Sequence, residues 1–529
     1  MRPGNISSYV PQVRPHNKLR DGGIFFLISK RPLLELSGEE KLLYESMDGR
    51  RSVAELEMIS PGACDLISKW HEAAILELIP PITSPAKPHL VVIEPHMDDA
   101  VLSAGGRLLH RRGQCRITIL SVVKWSNFTS YLLLKRDSLS VQEITDLRLA
   151  ESALVARLLG AEHRCLDWTD APLRFWPNDW SPAILEKYSI APHAFVNLFP
   201  NPRDVLLLAD QLQQQLMALA PDELWIPMGL GDHVDHRITR SACLAMLASN
   251  RERFSRVPVF MYEDLPYASR VGHADEIRAA LMGGGMRLVS STEDITDVLE
   301  EKVRVASVYA SQFKQSFIEP IVRNAAHCAG GSAGKLAESY HRIVGKIDLL
   351  PESHFCRGSS GLVLLRKKVR TLLPERKKCG RLTVIAVPSG HLGWWASDRK
   401  SLVFAFPNAD IHVHASADLA WQANSGGISR LRLEAVRGGW KGWVGVISRE
   451  LFRFGTPTVV VWQGAYGTRP LRMLKMLINL LMKYALPFRP VLFAKTLCDF
   501  CGILNEELDL SAVSKLRDVP ARTACESAR

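Results

Sequence analysis

The run His89-Leu-Val-Val-Ile-Glu-Pro-His-Met-Asp-Asp99 constrains this chain more than any other stretch. Its centre, Leu90 to Ile93, is short, β-branched and free of polar residues, the pattern of a strand buried on both faces of a parallel sheet. Parallel strands need crossover helices, so the region has to fold as an α/β layer structure. The strand runs directly into His96 and the adjacent carboxylates Asp98 and Asp99. Carboxyl ends of such strands are where open sheets present functional groups to a crevice.

A second cluster, Gly231-Asp-His-Val-Asp-His-Arg237, adds two imidazoles. Together the clusters hold the parts of a hydrolytic metal centre: N and O ligands for a Zn²⁺-like ion, a carboxylate to deprotonate water, and an imidazole to stabilise or protonate what leaves. Asp98 and Asp99 are neighbours, so their side chains diverge in extended or turning backbone, and one can ligate while the other faces substrate. His233 and His236 are three apart and share a site if the segment begins a helix. One of them then binds metal while the other works on the substrate.

From about residue 88 to 315 the chain resembles the PIG-L/LmbE-like deacetylases. That family combines a strand ending in an HPDD-type motif, a downstream HxDH motif and a Rossmann-like sheet. Here the motifs read Pro95-His-Met-Asp-Asp99 and His233-Val-Asp-His236. Looser landmarks follow in the family's order: Arg148-Leu-Ala-Glu151 with Leu159-Gly160, Asp170-Ala-Pro-Leu-Arg174, Tyr262-Glu-Asp-Leu-Pro-Tyr267, and Lys302 with Tyr309-Ala-Ser-Gln312.

The resemblance implies a metal held by His96, Asp99 and His236, with Asp98 as general base and His233 supporting the tetrahedral intermediate. It implies Zn²⁺, or another divalent ion such as Fe²⁺, as cofactor, and Arg148 and Asp170 as substrate-binding residues. The implied reaction removes the acetyl group of an N-acetylated amino sugar. Three departures stand out. Met97 replaces the usual proline, Ala100 stands where many members carry an acid, and Gly231-Asp232 occupy the place where some members have a tyrosine just before HxDH. The last departure leaves transition-state stabilisation to the metal and His233.

The length of 529 residues, with 47% hydrophobic and 23% charged residues, fits two to four globular domains. A net charge of +11 suits an anionic membrane surface or an acidic substrate. No reading-helix, zinc-finger or aromatic–basic RNA signature accompanies it, so nucleic acid is not expected as a partner. Ten scattered cysteines, several in apolar context, and a start without an apolar signal segment point to reduced thiols and a cytoplasmic location. Cys498-Asp-Phe-Cys501 has no second pair to make a metal site.

Residues 15 to 82 form a first segment, with apolar strands at Ile24 to Ile28 and Leu33 to Leu36 and amphipathic helices at Ser37 to Met47 and Cys64 to Leu78. In Ser52-Val-Ala-Glu55 the serine caps a short helix and the glutamate reaches back to it. The segment, most clearly in Asp48-Gly-Arg-Arg-Ser-Val-Ala-Glu-Leu56, resembles the PqqD-like winged-helix fold, which implies binding of a peptide or carrier along a strand edge. Pro80, Pro81, Pro85 and Pro88 mark a linker to the deacetylase-like part, residues 86 to 350.

A basic connector around 366 to 381 leads to a third part, residues 380 to 510, with apolar runs at 382–387, 402–406, 411–414, 443–447 and 458–462. These predict a second α/β domain with a parallel sheet, whose first strand opens into Pro388-Ser-Gly-His-Leu-Gly393 at a ligand-binding position. Neither a GxGxxG nor a P-loop pattern is present. His412 and His414 are read as ordinary strand histidines. Residues 471 to 486 predict a helix with a narrow polar stripe, packed on a sheet or resting on anionic lipid. The whole reads as a metal-dependent N-deacetylase flanked by two further domains. The alternatives are a binding scaffold on a deacetylase fold, or a bifunctional enzyme with a glycosyltransferase-like carboxyl part.

Overall fold

In the computed structural model, residues 6–345 are described apart from 27–28, 30, 84, 127, 130–138, 172, 174–199, 201, 232, 270–272, 284, 313–317 and 331–333; beyond 345 the described residues are 381–387, 410–416, 431–436, 458–462 and 491–494. The chain divides into two compact units, the first holding residues 1–174, 180–183 and 207–349 and the second residues 175–179, 184–206 and 350–529.

The amino-terminal segment comprises strands β1 (Val10–Val13), β2 (Asn17–Arg20), β3 (Gly23–Phe26) and β4 (Leu34–Glu35), helices α1 (Gly38–Ser46), α2 (Val53–Ile59) and α3 (Ala63–Glu72), and strand β5 (Leu76–Ile79). The capping box expected at Ser52 and Glu55 is present: the Glu55 amide donates to Ser52 Oγ, and Glu55 Oε2 accepts from the Ser52 amide at 2.6 Å. Ile24, Leu43, Leu56, Ile67, Trp70 and Leu76 pack into one small core.

One expectation fails here. The helix read through Leu78 stops at Glu72, because Ala74 adopts φ +57 and Leu76 to Ile79 then pair antiparallel with Val10 to Val13. Positive φ at a non-glycine residue ends a helix at some cost and has no composition signal.

The main part follows with β6 (His89–Glu94), α4 (Asp99–Arg111), β7 (Arg116–Trp125), α5 (Val141–Leu158), β8 (Ala161–Thr169), α6 (Pro202–Leu219), β9 (Glu223–Pro227), α7 (Val234–Ser249), β10 (Val259–Tyr262), α8 (His273–Gly283), β11 (Arg287–Asp294), α9 (Leu299–Ala306), α10 (Ile318–Cys328) and β12 (Ala337–Val344). Its sheet has the order β11-β12-β10-β9-β6-β7-β8. The five strands from β10 to β8 are mutually parallel, and β12 and β11 join antiparallel at one edge. Every residue of β6 is buried, as the apolar run requires of a central strand.

This order positions the site. The chain goes from β6 outward to β7 and β8, then returns to β9 on the other side of β6, so the topology reverses between β6 and β9. A crevice opens at the carboxyl ends of two such strands. His96 to Asp99 follow β6, and Gly229 to His236 follow β9.

In the second unit, β13 (Arg381–Val387), β14 (Asp410–Ser416), β15 (Leu431–Val436), β16 (Thr458–Trp462) and β17 (Val491–Ala494) make a parallel sheet of order β15-β14-β13-β16-β17. The strands expected from 382, 411 and 458 are among them, and those at 431 and 491 were not foreseen. The runs at 402–406 and 443–447, the loop 388–393, the helix at 471–486 and Cys498 with Cys501 lie outside the described residues. The described cysteines are free. Among the described residues, no helix is long and apolar enough to cross a membrane.

Candidate metal centre

Strand β6 delivers its motif through a tight turn: the Asp98 and Asp99 amides both donate to the His96 carbonyl, and Asp99 becomes the first residue of α4. Asp99 Oδ2 accepts the His96 amide at 2.8 Å, which fixes the carboxylate over the turn. The same oxygen lies 3.3 Å from His96 Nδ1 and 3.4 Å from His236 Nε2. Donors bound at about 2.0 to 2.1 Å in a tetrahedron stand about 3.3 to 3.4 Å apart, so each of these two separations from the Asp99 oxygen equals the spacing of neighbouring donors on a Zn²⁺-sized ion. Among the described residues, the groups whose donor atoms all lie within 4.8 Å of one another are His96, His233 and His236, and His96, Asp170 and Asp235; the set His96, Asp99 and His236 that the resemblance implies is not one of them.

Each of the two imidazoles is backed by a second carboxylate. His96 Nε2 lies 3.3 Å from Asp235 Oδ2, which also accepts the Ala171 amide at 3.0 Å. His236 Nδ1 lies 2.8 Å from Asp264 Oδ1, and Asp264 Oδ2 accepts the amides of Gly229 and Leu230 at 2.8 and 3.1 Å. A carboxylate on the outer nitrogen fixes the tautomer and leaves the inner one free to ligate. Asp235 and Asp264 were not singled out from the sequence, although both lie inside quoted motifs. Asp264 comes from the end of β10, and only the sheet order brings that end beside β9.

The charges explain what the cluster wants. Burial works against ionisation of His96, yet the carboxylates of Asp170, Asp235 and Asp99 outweigh it and raise its pKa well above the usual value. His236 is raised against its burial by Asp99 and Asp264. Asp99 is held low by the two imidazoles despite burial. Buried carboxylates in excess need a cation beside them, and protons on the imidazoles supply it when nothing else does. The donor set therefore fits a divalent metal ion.

Asp98 and Asp99 are neighbours in the chain but sit in opposite electrostatic settings. Burial, and then the charge of Asp99, push Asp98 up to about 6 against the pull of Arg148. That places a carboxylate with raised proton affinity beside the ligand set. His233 caps α7, accepting the Asp235 amide on Nδ1 at 3.3 Å, and its ring stands edge-on to His96 at 5.1 Å. Burial, and then the charge of His96, lower His233 to about 4.

Arg148 enters from α5, is 3% exposed, and its Nε has no partner while Nη1 stands 4.0 Å from Asp170 Oδ2. Asp170 follows β8 and accepts from Ser126 Oγ at 2.7 Å. The fold thus brings His96, Asp98, Asp99, Arg148, Asp170, His233 and His236 to one end of the sheet.

The comparisons with known proteins agree in part of the chain. A profile of the PIG-L family, GlcNAc-PI de-N-acetylase, matches residues 91–247. A 2'-N-acetylparomamine deacetylase of Streptomyces fradiae is 27% identical over 253 residues, 46% of this chain and 82% of that protein. Similar solved structures include a deacetylase from the biosynthesis pathway of teicoplanin, with 22% identity and TM-score 0.38 over 48% of this chain and 98% of that one. Another is the N,N'-diacetylchitobiose deacetylase of Pyrococcus horikoshii, with 18% identity and TM-score 0.33 over 49% of this chain and 84% of that one. Over residues 91–247 the chain is a PIG-L family domain.

Proposed function

We propose that this protein is a metal-dependent N-deacetylase that hydrolyses the acetamido group of an N-acetylated amino sugar in the biosynthesis of a glycan, glycolipid or secondary metabolite. The observation that carries the reading is the spacing of Asp99 Oδ2 from His96 Nδ1 and His236 Nε2, 3.3 and 3.4 Å, with the Asp98 carboxyl beside it. Similarity to a 2'-N-acetylparomamine deacetylase supports the substrate class.

In this reading His96, Asp99 and His236 hold a divalent ion, Zn²⁺ or Fe²⁺. When bound, such an ion lowers the pKa of water toward about 7 and polarises the acyl oxygen. Asp98 takes a proton from the attacking water as its oxygen adds to the acetyl carbon. His233, neutral at pH 7 because burial lowers it to about 4, supports the tetrahedral intermediate. As the C–N bond breaks, the proton held by Asp98 passes to the departing nitrogen. Water is thus divided between acetate and the free amine. Arg148 and Asp170 bind the sugar; the unpartnered Arg148 Nε has a free donor for a hydroxyl oxygen.

The test is acetate release from a panel of N-acetylated amino sugars, with and without prior chelation and re-addition of metal. Release of one acetate per free amine, lost on chelation and restored by metal, is expected. A metal-loaded protein that leaves every member of the panel intact contradicts the proposal.

A further inference from the structure

We infer that Tyr267 is a catalytic residue of this site, donating its phenolic hydroxyl to the oxygen that becomes negative when water adds to the acetyl group. The inference rests on the deacetylase reading and adds a residue to it.

Gly231, two residues before His233, has φ +83, and a Cβ built on it would fall 2.0 Å from Cγ and 2.1 Å from Cδ1 of Tyr267. The aromatic ring of Tyr267 therefore fills the space that a side chain at 231 would take. Both conditions, the left-handed backbone and the ring laid against it, admit only glycine. The ring also stands edge-on to His236, with centroids 5.1 Å apart and planes at 87°. A rigid aromatic is thus wedged between the loop leaving β9 and one of the proposed metal ligands.

The hydroxyl of Tyr267 is not committed to another described residue. Among the described residues it forms no hydrogen bond, whereas the buried hydroxyls of Tyr262 and Tyr309 are bonded to the Ile93 carbonyl and to Ser152 Oγ. Its surroundings include Asp98, Asp99 and His96, so the phenol belongs to the same electrostatic neighbourhood as the proposed base and ligands. A neutral donor beside developing negative charge strengthens in the transition state without opposing a carboxylate-rich ground state. The β9 loop itself carries no tyrosine, and the expectation that stabilisation rests on the metal and His233 alone is extended by Tyr267, which follows β10.

Tyr267→Phe keeps the ring over Gly231 and removes only the hydroxyl. Two measurements on the metal-loaded full chain test the role: steady-state hydrolysis of an N-acetylated amino sugar, and calorimetric affinity for methylphosphonate, whose tetrahedral anionic oxygens resemble the intermediate formed from an acetyl group. The expected result is a fall in kcat of about 100-fold with KM changed less than threefold, a methylphosphonate affinity at least tenfold weaker, and unchanged metal content. Wild-type kcat and wild-type methylphosphonate affinity in Tyr267→Phe would overturn the role of Tyr267 alone. A metal-loaded wild type that neither hydrolyses substrate nor binds methylphosphonate would overturn the deacetylase reading, and this inference with it.

Discussion

Asp264 Oδ1 stands 2.8 Å from His236 Nδ1, while its other oxygen holds the amides of Gly229 and Leu230. One carboxylate thereby aims an imidazole and pins the loop that leaves the neighbouring strand. Asp264→Asn retains an acceptor for one amide but cannot favour the same tautomer of His236. We expect metal affinity to fall by about 10- to 100-fold with the fold intact, measured by competition with a chromophoric chelator. Wild-type affinity would show that His236 is oriented by other contacts.

Asp98 is assigned the base role and no ligand role, so the two functions separate by mutation. Asp98→Asn is expected to keep metal stoichiometry and lower kcat by about 10²- to 10⁴-fold. Metal loss together with activity would instead place Asp98 among the ligands.

Gly231→Ala tests the packing under Tyr267. The added methyl meets the ring at 2.0 Å at φ +83, so either the ring swings away or the β9 loop shifts. We expect a stability loss of about 1 to 3 kcal/mol and a fall in kcat at least as large as that of Tyr267→Phe. A variant with unchanged kcat would separate the tyrosine from catalysis.

The amino-terminal segment is tied to the main part through a buried acid. Glu77 accepts from Arg14 Nε and from Arg304 Nε, each at 2.8 Å, joining β5 to the end of β1 and to α9. Removing the shared anion leaves two guanidinium groups facing each other. Glu77→Ala is expected to cost about 3 to 5 kcal/mol, read as a lower thermal midpoint, and to loosen the segment toward limited proteolysis. A shift below 1 °C would mean that the segment is held by its apolar core alone.

His163 gives a pH dependence with a definite sign. It is partly buried beside Ser121, with Nε2 2.9 Å from Oγ, and burial lowers it to about 4. Between about pH 6.5 and 4 the unfolded chain binds a proton that the folded one refuses, so stability rises with pH across that window and is lost as pH falls. The gap amounts to at most about 3 kcal/mol, since the group is only partly shielded from solvent. His163→Gln keeps a polar partner for Ser121 and should flatten the acid limb of a thermal-midpoint profile. An unchanged limb would assign the loss to other groups.

The site was legible where chemistry and strand pattern coincide. Leu90 to Ile93 announce a central strand, and His96, Asp98 and Asp99 follow it directly; the pair His233 and His236 identifies itself by type and spacing. What could not be read depends on neighbours across the sheet. Asp264 and Tyr267 reach the centre only because β10 lies beside β9, and Asp235 matters because its carboxylate turns toward His96 and not outward from α7. Strand β5 was hidden for a related reason: Leu76 and Ile79 continue the apolar spacing of α3, and the break at Ala74 is imposed by pairing with β1.

The most direct measurement is elemental analysis of the purified chain beside His96→Ala, each after exposure to equimolar Zn²⁺ or Fe²⁺ and removal of excess. The account predicts about one metal ion per chain in the wild type and a large loss in the variant, because His96 supplies one of three ligands. No retained metal in the wild type, or equal retention in His96→Ala, would contradict it.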